Sequence, residues 1–285
     1  MTDLGYTRRG RGEPLLLIHG IGSHRQAWSP VLNRLARERD VIAVDLPGHG
    51  ESPLVPFGGP TVAAGFAQLL AAFLDDLGLA DAHVAGNSIG GWTAFELARL
   101  GRACSVTALC PAGLWRDHTP RYCVASLQGS YLLARALGPA AARLAATRAG
   151  RTLLLGQVVG HPWRVPTDAA AAAIRNIVAT PGFRTYYPAT VPERFVGGRG
   201  IATPVTVAWG GSDRLLLPWQ ARRREQLPTH TRWIALPGCG HIPMYDDSDL
   251  VARVLLEGCA GPRMADEGGS LCPSWRRSTG YKGAC

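Results

Sequence analysis

Lysine is nearly missing from this chain: of its 30 basic residues only Lys282 is not arginine, and the formal net charge is +9. An arginine excess spread through a chain rich in Ala, Gly and Pro follows composition. A single-stranded nucleic-acid surface needs basic residues clustered and interleaved with aromatics, and no such run occurs. Nucleic acid is therefore not the expected partner. Nor is there a long apolar run near the start. Met1 to Glu13 is polar, with Arg8, Arg9 and Arg11, and Leu15 to Ile18 behind it is too short for a signal-peptide core or a membrane span. The seven cysteines form no C-x-x-C pair, and no histidine cluster has metal-ligand spacing. That excludes the usual zinc sites and leaves reduced thiols in a cytoplasmic protein, with Cys104 and Cys110 read as small buried hydrophobes. Charged residues make up only 18% of the chain against 46% hydrophobic ones, so it is not disordered, and 285 residues suffice for a sizeable core.

What is present is an alternation of strands and helices. Leu15–His19 is a continuously apolar run before a Gly-Ile-Gly loop, which reads as a buried central strand. Ala27–Arg37 follows with Trp28, Val31, Leu32 and Leu35 at helical spacing. Val41–Val44 is the next strand, ending in the turn-dense Asp45-Leu-Pro-Gly-His-Gly-Glu-Ser, and Val62–Leu77 is an amphipathic helix closed by Gly78. Ala82–Ala85 and Val106–Cys110 are further strands, with a helix over Trp92–Leu100 between them. Such alternation implies an α/β fold with a doubly wound, mostly parallel sheet, whose sites lie at the carboxyl ends of the strands.

From residue 114 to 200 the rhythm changes. The pieces Ser130–Arg148 and Thr167–Ala179 look helical and no convincing strand occurs, which predicts a helical cap (lid) inserted between core segments 1–113 and 201–260. Pro204–Trp209 and Arg232–Leu236 resume the strands, with helices expected over Leu217–Leu227 and Asp249–Leu256. Residues 261–285 have no periodicity and read as a flexible tail.

The sequence is organised around Val84-Ala-Gly-Asn-Ser-Ile-Gly-Gly. In a chain with 35 glycines, Gly-x-Ser-x-Gly carries weight only through the strand before it and the helix after it. Both are expected here. A serine at such a bend holds strained backbone, tolerable only with small residues two positions away on each side, and Gly86 and Gly90 supply them. Ser88 is thus the expected nucleophile, and the N–H of Ile89, at the helix start, an expected oxyanion donor. A serine needs a base. His241 in Gly238-Cys-Gly-His-Ile-Pro follows a strand and falls at the same sheet edge. The acid that orients it is expected to be Asp213, just past another strand, with Asp117 as the rival; Asp45 reads as structural.

The second oxyanion donor is expected to be the N–H of Ile21, between Gly20 and Gly22. His19 and His49 are assigned packing and loop hydrogen bonds. His24 and Trp28 either line the substrate pocket or pack, and Asn87, Tyr131 and Ile242 are expected to bind the substrate. In the cap, Leu127, Tyr131, Leu132, Leu153, Leu154 and Leu155 are candidates for an apolar pocket roof. Arg121, Arg135 and Arg164 either hold a substrate carboxylate or are solvated, the latter preferred given the composition of the whole chain.

His19-Gly20-Ile21-Gly22, Asp45-Leu-Pro-Gly-His-Gly-Glu-Ser, Gly86-Asn-Ser-Ile-Gly-Gly, Gly211-Ser-Asp and Gly240-His241 together resemble the α/β-hydrolase fold superfamily, in its serine-nucleophile branch with a helical lid. The resemblance spans residues 5 to 258 in the order nucleophile, acid, base. It implies a Ser-His-Asp hydrolase of a small molecule, without metal or organic cofactor. A serine at the elbow sets aside the haloalkane dehalogenase and epoxide hydrolase branches, which use a carboxylate. The elbow also resembles that of hydrolases cleaving carbon–carbon bonds in ring-fission products. Those usually carry tryptophan after the catalytic histidine, and here Ile242 stands there. The expected activity is therefore hydrolysis of a carboxylic ester; the alternatives are carbon–carbon hydrolysis, or a ligand receptor with feeble turnover.

Overall fold

The computed structural model describes residues 2–56, 58–221 and 223–260; the tail expected over 261–285 lies outside them. In chain order the elements are β1 (Tyr6–Arg9), β2 (Pro14–Ile18), α1 (Ser29–Leu35), β3 (Asp40–Val44), α2 (Val62–Asp76), β4 (Ala82–Asn87), α3 (Ile89–Arg99) and β5 (Ala103–Leu109). Helices α4 (Arg121–Leu137), α5 (Ala140–Ala145), α6 (Arg148–Leu155), α7 (Thr167–Ala179) and α8 (Pro181–Thr190) follow without a strand. Then come β6 (Val205–Gly210), α9 (Pro218–Ala221), β7 (Arg232–Leu236) and α10 (Ser248–Ala260).

The strands form one sheet in the order β1-β3-β2-β4-β5-β6-β7. All neighbours are parallel except β1, which pairs antiparallel with β3. Because side chains alternate across a strand, β2 feeds two cores. Leu16 and Ile18 join the cluster under α2 and α3, while Leu15 and Leu17 join the one under α1 and α10. All four are essentially unexposed, and burying side chains of this size stabilises by on the order of 2 kcal/mol each. The helices between β5 and β6 bury a third, separate cluster, including Ala145, Leu155, Val159 and Ile174.

Several expectations need correction. β1 was not anticipated, since Tyr6–Arg9 is an edge strand with little burial and two arginines, and it shows no apolar alternation. The helix expected over Ser130–Arg148 starts at Arg121 and breaks at Gly138-Pro139, so three shorter helices occupy the region. Among the described residues of Leu217–Leu227 only α9 and a 3₁₀ turn at Arg224–Gln226 form; Arg223 is extended and gives its N–H to Leu114 O. Among the cysteines, Cys110, Cys123, Cys239 and Cys259 are free and buried. Cys104 is instead half-buried, at the start of β5, so it is not the fully buried small hydrophobe expected. No helix of the described residues is long and apolar enough to cross a membrane.

Candidate active site

Ser88 occupies the bend between β4 and α3 with φ 59° and ψ −121°, a conformation that costs a non-glycine residue about 1–3 kcal/mol. The surroundings hold it there. Ser88 N–H donates to Leu109 O, and Ser88 O accepts from the N–H groups of Gly91, Trp92 and Ala112. Side chains are barred on both flanks: a Cβ on Gly86 would stand 2.1 Å from Gly90 O, and one on Gly90 2.3 Å from Ile18 O. Ile89 is the first residue of α3, so its N–H has no partner within the helix.

His241 and Asp213 meet behind this bend. Their loops follow neighbouring strands β7 and β6, and Ser212 N–H donates to Cys239 O at 2.8 Å across them. Asp213 Oδ1 accepts from the N–H groups of Leu215 and Leu216, both at 2.9 Å, and Oδ2 lies 2.9 Å from His241 Nδ1. A carboxylate only accepts, so Nδ1 is the donor, and in the neutral ring Nε2 then holds the lone pair. Nε2 is buried and has no hydrogen-bond partner among the described residues. Asn87 ties this loop to the elbow: its Nδ2 donates to Leu109 O at 3.0 Å and to His241 O at 2.8 Å. The rival acid Asp117 is elsewhere, exposed, with Arg194 3.4 Å away.

The Gly20–Gly22 loop lies against the elbow, since a Cβ on Gly20 would be 3.2 Å from Ser88 Cβ. Two imidazoles fix it. His49 Nε2 accepts the Gly22 N–H at 3.0 Å, and His19 Nε2 accepts the Leu46 N–H at 2.9 Å. Burial depresses both, His49 to about 4, which keeps the accepting nitrogens unprotonated at neutral pH. Asp45 has the structural place expected of it, fully buried and accepting the Arg25 and Glu51 N–H groups. No hydrogen bond among the described residues engages the Ile21 N–H.

A cavity of about 790 Å³ opens onto these groups, and Ser88, His241, Ile21, Ile89, His24, Asn87 and Ile242 all line it. Desolvation lowers the His24 pKa, so this ring too is held toward its neutral form. Two expected pocket residues are not there. Trp28 is fully buried under α1, packed with Val31 and Leu35 on the opposite core, because the helical spacing that makes it look available also turns it inward. Tyr131 stacks on Phe183, with centroids 5.1 Å apart, and packs against the core rather than lining the cavity. Leu127, Leu153, Leu154 and Leu155 do line it and Leu132 does not. Arg121, Arg135 and Arg164 are exposed, and no arginine or lysine of the described residues lines the cavity.

Sequence reasoning missed three groups. Leu133, Ile177 and Tyr187 line the cavity and carry no local signal of it. Asp246 takes the N–H groups of Gly160, His161 and Gly240 at 2.7–2.9 Å, clamping the histidine loop to the chain between α6 and α7. Cys110, fully buried at φ 44°, brings its Sγ near Asp213 and His241, one potential ligand atom from each lying within 4.8 Å of the others. Burial pushes the thiol well above its ordinary pKa, and its Sγ accepts the Gly210 N–H at 3.3 Å and donates to Gly240 O at 3.7 Å, while His241 and Asp213 are bonded to each other.

Fold and site together define a nucleophile-elbow α/β protein. The model of the alpha/beta hydrolase family matches residues 15–254, and the chain belongs to that family. Over 250 residues it is 31% identical to a dihydrolipoyllysine-residue acetyltransferase component of an acetoin cleaving system from Pseudomonas putida, covering 86% of this chain and 63% of that protein. It therefore spans less than two thirds of this relative. Over 190 residues it is 33% identical to the epoxide hydrolase EphH of Mycobacterium tuberculosis, covering 64% of this chain and 87% of that one. Among solved structures, a thermophilic esterase from Thermogutta terrifontis superimposes with a TM-score of 0.65 at 22% identity, over 89% of this chain and 92% of that chain, a likeness of fold alone.

Proposed function

We propose that this protein is a serine hydrolase that cleaves a carboxylic ester of a small or medium apolar substrate through an acyl-enzyme. The observation that carries the reading is the His241 ring. Its Nδ1 is committed to Asp213, which leaves a buried Nε2 lone pair in the same cavity as Ser88. In the proposed reaction Ser88 Oγ attacks the ester carbonyl and its proton passes to Nε2. The imidazolium is stabilised by Asp213, and the developing oxyanion accepts hydrogen bonds from the N–H groups of Ile21 and Ile89. Collapse of the tetrahedral intermediate expels the alcohol, which takes the proton from His241. Water then attacks the acyl-serine by the same relay in reverse.

The helical segment 114–200 acts in this account as a cap that selects the acyl group. Leu127, Leu154 and Leu155 supply apolar wall to the cavity, which suits a hydrocarbon chain. A ring-fission dienoate carries a carboxylate that needs a cation, and no arginine or lysine of the described residues lines the cavity. Its charged lining groups include Asp168 and Asp246, which would repel that carboxylate. Ile242 adds apolar surface beside the base.

The test compares kcat/KM for p-nitrophenyl esters of increasing chain length with that for a 2-hydroxy-6-oxo-dienoate on one sample. Ready turnover of short or medium esters and little action on the dienoate is the expected result. A dienoate value above the best ester value overturns the ester reading, and turnover of neither substrate would make the protein a binding module.

A further inference from the structure

Between His118 and Thr167 the chain carries Arg121, Arg135, Arg143, Arg148, Arg151 and Arg164, and not one aspartate or glutamate. Arg151 is buried, its guanidinium spent on the carbonyls of Ala145, Ala146 and Trp163. The other five are exposed, and none makes an ion pair among the described residues. A stretch of helices with cations only, unneutralised by their neighbours, presents a field of one sign.

The same helices expose large apolar side chains. Leu132 and Leu133 on α4 are 54% and 40% exposed, and Leu153 on α6 is 66% exposed. Leu133 and Leu153 also line the cavity, so its apolar wall continues outward to the surface at this rim. Leu132 and Arg135 are three residues apart on α4 and therefore neighbours on one face. Exposed leucines interspersed with unpaired arginines match a membrane interface, where apolar groups enter the acyl boundary and cations meet anionic headgroups. A protein partner of ordinary surface does not explain why the acids are missing.

We propose that the outer surface of α4 to α6 docks on an anionic lipid surface, with Leu132 and Leu153 entering it and the exposed arginines on its headgroups. The cavity rim then faces the bilayer, and an acyl chain reaches Ser88 without crossing water. Only the second consequence rests on the ester hydrolase reading; the docking itself stands on the surface.

The test is co-sedimentation of the full chain with vesicles of phosphatidylcholine alone and of equimolar phosphatidylcholine and phosphatidylglycerol. The chain should pellet with the mixed vesicles and stay in solution with the neutral ones. Raising salt to about 1 M, where the screening length falls to about 3 Å, should release it. Arg135→Glu combined with Arg148→Glu should weaken partitioning roughly tenfold or more, and Leu132→Asp should also weaken it. None of these residues lines the cavity, so each variant should keep the parent kcat/KM on soluble p-nitrophenyl acetate, which also reports that it folds. The docking is refuted by no binding to phosphatidylglycerol, by equal binding to neutral vesicles, or by variants that bind like the parent. Binding of a single-stranded oligonucleotide in place of vesicles would reassign the arginines and refute it too. If the parent docks but hydrolyses no ester, the hydrolase reading alone fails.

Discussion

Asp213 spends one carboxylate oxygen on two backbone N–H groups and turns the other to His241, so its position is fixed from two sides. Replacing it with asparagine keeps the shape but puts an amide where the ring donates, which favours the tautomer with a protonated Nε2. In the proposed mechanism that nitrogen must accept the serine proton. We expect Asp213→Asn to lower kcat on p-nitrophenyl esters by roughly 10⁴ and Asp117→Asn to change it by less than about twofold, as is usual for an exposed charge. Initial rates of the two variants decide it, and the reverse ranking would reassign the acid. That Ser88, Asp213 and His241 fall together was legible in the sequence for one reason: each follows a strand of the parallel sheet, buried β4 and β6 for the first two and the edge strand β7 for His241, and parallel strands deliver their carboxyl ends to one edge. Trp28 and Tyr131 were not legible, because helical spacing says that a residue belongs to an apolar face and leaves open whether that face meets core or cavity. The reach of Asn87 Nδ2 to His241 O, across 154 positions, has no sequence signal at all.

At the scale of elements, the buried strands were legible within a few residues because both of their faces are apolar. The edge strand β1 has no such face to show, and the break at Gly138-Pro139 was passed over because alanine-rich sequence on either side favours helix. Tertiary links between elements were hidden altogether, among them the one made by Glu193. Its carboxylate accepts the Val62 N–H at the start of α2 from the chain just after α8, at 3.0 and 3.1 Å, while Glu193 O accepts from Trp115 Nε1. Burial raises this carboxyl to about 7 in spite of the hydrogen bond from Val62. A raised acid binds more protons folded than unfolded, so its contribution to stability falls as pH rises from about 4.5 to about 7 and stays low above that. The buried His19 and His49 work in the opposite sense, adding stability as pH rises toward 6.5, because their folded pKa values are depressed. The quantity to read is therefore the difference in Tm between parent and Glu193→Gln. It should grow in favour of the glutamine variant from pH 5 to pH 8; a constant difference would show that the carboxylate is not penalised by burial.

For the whole molecule, the sheet places the Ser88 elbow, His241 and Asp213 along one edge, and residues of the helices between β5 and β6 line the cavity that opens onto them. The alternation of elements and the strand-free stretch made that architecture legible. The cavity was not, because its walls come from residues far apart in sequence, such as Ile21, Leu153, Tyr187 and Ile242, whose convergence depends on packing. The claim on which the mechanism turns is that Ser88 is the one activated nucleophile of this cavity. Intact-mass measurement after treatment with a fluorophosphonate tests it most directly. The parent should gain a single adduct that peptide mapping assigns to Ser88, with ester turnover lost in step, and Ser88→Ala should gain none. An adduct on Ser88→Ala equal to the parent's, or a parent that hydrolyses esters while remaining unlabelled, would contradict the account.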